Sequence, residues 1–139
     1  MKFDLIFYLS KKTSLCEKKL SEILSKSSIS VNTTSFATTP IDLGQRLVES
    51  LNCCYLIFVI GNLSTSDKNS FTRVISRAIA NSNMTLSNTK KLRSLLGPDG
   101  YIISCGKQVI VALPDDPCEI ESMLSHEVTD YITKTVPTE

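Results

Sequence analysis

The chain has no excess of charge of either sign: fifteen Lys and Arg face fourteen Asp and Glu in 139 residues, a formal net charge of +1. Without an overall basic field, nucleic acid is not an expected partner. Long hydrophobic runs are also missing. The longest, Tyr55 to Ile60 behind Cys53 and Cys54, falls far short of the roughly 20 residues that span a bilayer, so no membrane contact is expected. Cysteines at metal or redox spacing are absent. Cys16, Cys53, Cys54, Cys105 and Cys118 are odd in number and contain no CxxC, which argues for free thiols in a reducing compartment and against a disulfide framework or a structural zinc site. Histidine is limited to His126. With no second histidine or cysteine at ligand spacing, it reads as a surface or partly packed residue rather than a metal ligand or base. No metal ligands are assigned. Met1 to Leu9 holds an acid, Asp4, inside its apolar run and no small-residue cleavage site. This reads as a first strand, and the expected location is cytoplasmic.

What is present is a 42% hydrophobic composition, enough for one globular domain over residues 1–139. Phe3 to Leu9 reads as a strand, and Leu15, Leu20, Ile23 and Leu24 as a helix capped by Ser14 three residues before Glu17. Ile29 to Phe36 is a second strand, and Thr39-Pro40 opens a helix carrying Ile41, Leu43, Leu47, Val48 and Leu51. Cys53 to Ile60 is apolar without alternation, as a central strand covered on both faces is. A third helix follows from about Thr72, with Phe71, Val74, Ile75, Ala78 and Ile79 on its stripe. From Asn81 to Leu96 the pattern weakens into an expected mobile stretch with a short helix at Lys90 to Leu96. A hairpin then pairs Tyr101 to Ser104 with Gln108 to Leu113. A last helix carries Ile120, Met123, Leu124 and Val128, capped by Asp116 or its neighbours. The fold class is α/β: a three-layer α/β/α sandwich with a mostly parallel sheet and an appended β-hairpin. Charge is distributed unevenly: residues 1–112 hold fourteen basic and seven acidic side chains, and 113–139 hold one and seven.

In such a sheet, ligands gather at the carboxyl ends of the central strands. Here that is Gly61 to Thr72, where Gly61, Asn62, Ser64, Thr65, Ser66, Asn69, Ser70 and Thr72 are small or hydroxylic and admit an anionic group close to the backbone. Turn and capping needs explain the same residue types. A second loop, Leu113-Pro114-Asp115-Asp116-Pro117-Cys118-Glu119, runs from strand to helix. Its acids, with Glu121, are a possible cation cluster, although acids are also expected at a helix start.

Together the two loops resemble the molybdopterin-binding domain of molybdenum cofactor biosynthesis proteins, shared with the amino-terminal domain of competence-damage-inducible proteins. That pattern has a Gly-Gly-x-Gly loop, Asp-x-Thr at a helix start, and a hairpin running into Leu-Pro-Gly-x-Pro-x-Glu. Gly61, Leu63 and Thr72-Arg73 match the first part, and Leu113, Pro114, Pro117 and Glu119 the last. Asn62, Ser64 and Asp115 stand where the pattern has glycine. Asn69 or Ser70 stands where it has aspartate, with Asp67 displaced nearby, and Ser10-Lys11-Lys12-Thr13 lacks the Gly-Asp-Glu character of its first loop.

The resemblance implies a degenerate, non-catalytic domain that binds a pterin- or nucleotide-like anionic ligand, or a protein partner, at Gly61 to Thr72 and at Pro114, Asp115, Pro117 and Glu119. One alternative is a working Mg²⁺-dependent adenylyltransferase or pyrophosphatase using Asp42 and Asp67 as metal carboxylates, with molybdopterin or a nucleotide bound. Another is a structural module whose old pocket is filled by Asp115 and Asn62. The resemblance also implies a homo-oligomer.

Overall fold

Alternating β and α patterning along the chain becomes β1 (Lys2–Tyr8), α1 (Thr13–Ser25), β2 (Ser30–Ala37), α2 (Pro40–Cys53), β3 (Leu56–Gly61), α3 (Phe71–Asn81), β4 (Asn88–Leu92), β5 (Gly100–Cys105), β6 (Gln108–Pro114), α4 (Pro117–Met123) and α5 (His126–Thr135). This is a computed structural model, and it describes residues 1–61, 71–81, 88–94 and 99–137. The six strands form one sheet in the order β2-β1-β3-β6-β5-β4. The first four in that order are parallel, and β5 and β4 are antiparallel to their neighbours. The expected three-layer α/β architecture is therefore the observed one. The hairpin is less of an appendage than expected, because β6 pairs with β3 at the centre of the sheet.

The central strands lack polar alternation because helices cover both of their faces. From β1, Phe3, Leu5 and Phe7 enter a core with Leu20 and Leu24 of α1, Ile120 of α4 and Ile132 of α5. Ile6 and Tyr8 point the other way, among Leu43 and Leu47 of α2 and Ile75 and Ala78 of α3. Phe3 and Phe58 meet edge to face at 5.1 Å between centroids, a geometry that contributes about 1 kcal/mol beyond the area it buries.

Four local expectations are corrected. Cys53 ends α2, and β3 begins only at Leu56. The short helix expected at Lys90 to Leu96 is instead β4, paired antiparallel with β5 from Asn88↔Ser104 to Leu92↔Gly100. A ready strand edge outweighed a weak helical pattern there. Residues 82–87, 95 and 96 of the stretch expected to be mobile lie outside the described residues. The single last helix is two, because Leu124 leaves helical geometry and Ser125 is the extended N-cap of α5. Finally, Ser14 lies inside α1, whose N-cap is Lys12 and has no side-chain capping bond.

Candidate ligand-binding site

Three parallel strands finish level with one another, since Tyr8 of β1 pairs with Gly61 of β3, and Gly61 pairs with Pro114 of β6. Their outgoing loops therefore share one mouth at the carboxyl edge of the sheet, where open α/β sheets bind ligands. Gly61 is required by packing. A Cβ there would lie 2.0 Å from the Tyr8 carbonyl oxygen, a backbone atom with nowhere to go. The glycine shared with the resemblance thus has a steric reason of its own.

β1 leaves the mouth through Leu9, whose φ of 52° is left-handed, a costly conformation for a residue with a branched side chain. This turn leads into Ser10, Lys11 and Lys12 at the head of α1. The first N–H groups of a helix lack partners within it and favour an anion. In this chain a carboxylate, Asp115 from the loop after β6, lies just ahead of that helix and takes the N–H groups of the two residues before it. Ser10 Oγ donates to Asp115 Oδ1 at 2.6 Å, and Lys11 N–H donates to Oδ2 at 2.7 Å. Lys12 N–H is shared between both oxygens at 3.3 Å, and Cys16 Sγ lies 3.5 Å from Oδ1. Burial by itself would raise the Asp115 carboxyl, but these bonds outweigh it and hold the group below the usual carboxylate value. Burial, then the hydrogen bond to Asp115 and its charge, push the Cys16 thiol up to about 12, which makes it unreactive at neutral pH.

The neighbouring acids have local duties. Asp116 caps α4, its Oδ1 accepting from Cys118 N–H at 2.9 Å, as expected. Glu121 is 3.4 Å from Lys19 of α1, and Glu119 is half-buried in the first turn of α4. Among the described residues no group of three His, Cys, Asp or Glu side chains could hold a metal ion, so the possible cation cluster is dispersed.

Of the residues anticipated for the site, Gly61, Pro114 and Asp115 gather at the mouth, with Pro117 and Glu119 opening the helix behind it. Thr72 is in the first turn of α3, and its side chain is not among those described. Asn62, Ser64, Thr65, Ser66, Asp67, Asn69 and Ser70 lie outside the described residues. Asp42 sits in the first turn of α2, its N–H bonded to Thr39 Oγ1 at 3.1 Å and its Oδ1 3.2 Å from Arg46 Nε. That pair is close but poorly aligned, since Arg46 Nε completes no hydrogen bond. His126 is exposed at the start of α5. All five cysteines are free; Cys16, Cys54 and Cys105 are buried. The residues missed were Ser10, Lys11 and Lys12 as donors to Asp115. They carry no local signal, because the partners are more than a hundred positions apart.

No family model matches the sequence, and no curated protein matches it. Solved structures do. CinA of Thermoplasma acidophilum, described as of unknown function, superposes with a TM-score of 0.74 at 13% identity over 93% of this chain and 96% of its own. The molybdopterin biosynthesis Mog protein of Mycobacterium ulcerans gives 0.70 at 17% identity over 94% and 98%. The molybdopterin biosynthesis enzyme MoaB of Thermus thermophilus gives 0.65 at 13% over 98% and 99%. The chain accordingly has the fold of the CinA, Mog and MoaB proteins along most of its length, and at these identities the fold is what they share.

Proposed function

We propose that this chain is a non-catalytic module built on the molybdopterin-domain fold, in which the anion seat of the mouth is closed by Asp115 and function lies in contact with another protein. The observation that carries this reading is the Asp115 carboxylate on Ser10, Lys11 and Lys12. A phosphate arriving at the head of α1 would meet a negative charge already using the donors it needs, and displacing that charge would strip it of its hydrogen bonds. Support also comes from Asp42, which faces Arg46 rather than standing free for a cation.

A second reading, retention of a molybdopterin- or nucleotide-like ligand at the mouth, draws on Mog and MoaB being molybdopterin biosynthesis proteins and on the shared loop positions Gly61 and Pro114. A thermal-shift series separates the two. The wild type, Asp115→Asn and Asp115→Gly are melted with ATP, AMP, ADP-ribose and a pterin, with and without Mg²⁺. A ligand at a hundred times its Kd stabilises by about 2.7 kcal/mol, several degrees for a chain of this length. The expected result is no shift for the wild type and a shift with phosphate-bearing compounds once Asp115→Gly empties the seat. A magnesium-dependent nucleotide shift in the wild type would overturn the proposal in favour of the enzyme.

A further inference from the structure

α5 packs on the face of the sheet that also carries α1 and α4. Because Lys90 pairs with Ile102 and Leu92 with Gly100, Lys90 and Leu92 share the face of Ile102 that looks towards α5. A recess of about 250 Å³ is left between the strands and the helix. Leu92, Ile102, Val128 and Tyr131 give it an apolar wall, and a hydrogen bond between the Tyr131 hydroxyl and Ser104 Oγ of β5 holds the Tyr131 ring in place. Three charges also line it: Lys90 and Arg93 from the end of β4, and Glu127 from the first turn of α5. All three side chains are exposed and, among the described residues, enter no ion pair or hydrogen bond. Lys91, by contrast, lies 3.8 Å from Asp99. Opposite charges thus line one recess without neutralising each other.

We propose that this recess binds a small zwitterion, an α-amino acid with an apolar side chain. Its carboxylate would take Lys90 and Arg93, its ammonium Glu127, and its side chain the wall of Leu92, Ile102 and Val128. A simple anion entering the recess would gain two cations but be repelled by Glu127, and a simple cation would meet the reverse. A wholly apolar molecule would desolvate all three charges and pair none. A ligand with both charges and an apolar body satisfies every group, through bonds of the stronger, charge-assisted kind. Size points the same way, since the recess is smaller than the roughly 300–1,000 Å³ of sites for drug-sized ligands. The recess shares no residue with the mouth, so the proposal is independent of how the mouth is filled.

Calorimetric titration of the intact chain with L-leucine, N-acetyl-L-leucine and L-leucinamide tests it. The expected result is saturable binding of leucine, weakened at least tenfold in the acetylated compound, which lacks the ammonium, and in the amide, which lacks the carboxylate, as loss of a hydrogen bond between charged groups does. Glu127→Gln should weaken leucine and abolish the preference over N-acetyl-leucine. Lys90→Gln with Arg93→Gln should weaken leucine and abolish the preference over leucinamide. Because all three side chains are exposed and unpaired, the thermal melts of these variants without ligand should match the wild type. Absence of saturable leucine binding, equal binding of the blocked compounds to the wild type, or leucine binding indifferent to both sets of substitutions overturns the proposal.

Discussion

Gly61 ends β3 and Asp115 follows the end of the neighbouring β6 at the same edge of the sheet, one valued for the side chain it lacks and the other for the one it has. With the Tyr8 carbonyl 2.0 Å from any added Cβ, Gly61→Ala forces β1 and β3 apart. A cost of about 3 kcal/mol is expected, at the upper end for overpacking, read as a lower urea midpoint at unchanged slope. The two carboxylates Asp4 and Asp115 predict acid behaviour. Asp4 is buried in β1, where Thr33 Oγ1 donates to it at 2.7 Å and Asn32 Nδ2 at 3.1 Å. Burial pulls its pKa up, but bonds from Thr33, Ser50, Asn32 and Cys54 win and lower it. Both acids therefore have folded values below those of the unfolded chain. Their stabilisation is complete above the ordinary carboxylate value of about 3.9 and is lost as pH falls through the lowered values. Stability measured from pH 7 down to pH 2 should fall in the acid limb, and Asp4→Asn or Asp115→Asn should flatten that limb while lowering stability at pH 7. An unchanged limb in both variants would sink this assignment.

At the scale of elements, helix starts are handled in two ways. α2 and α4 are capped locally, by Thr39 accepting from Asp42 N–H and by Asp116 accepting from Cys118 N–H, each with a proline in the first turn. Thr39→Ala and Asp116→Ala should each cost about 1 kcal/mol, measurable by chemical denaturation. α1 has no such cap; Asp115, from the other end of the chain, instead holds the N–H groups of Lys11 and Lys12 that lead into it. The strands show the same contrast. Between β1 and β2 the register slips after Phe3↔Val31 to Asp4↔Thr33, leaving Asn32 as the extra residue, and its side chain turns in to Asp4. A polar cluster thus pins a bulge that hydrophobic pattern alone would not place. At the opposite edge, Lys90 and Lys91 are exposed on β4, charges that discourage further strand pairing.

For the whole molecule, the alternating β and α units, the doubly covered central strands and the hairpin were all legible from hydrophobic period and turn residues, because these act over a few positions. The same locality made the caps at Thr39 and Asp116 readable. Elsewhere local pattern was a poor guide: β4 had a helical look until β5 lay beside it, and Ser14 looked like a cap although the helix already starts at Thr13. That Gly61, Pro114 and Asp115 share one edge of the sheet followed from the order of the elements; the partners of the Asp115 carboxylate did not. Whether Asp115 merely crowds the mouth or closes it depends on Tyr8, Gly61 and Pro114 ending level across three strands, and on the left-handed turn at Leu9. The recess between β4 and α5 is likewise a property of packed elements, since Lys90, Arg93 and Glu127 acquire a common surface only when α5 lies against the sheet. Short-range periodicity and turn chemistry are written along the chain, and they determined the architecture. The partners of the Asp115 carboxylate and the lining of the recess are sums over residues distant in sequence, and only the folded chain brings those within hydrogen-bonding and packing distance.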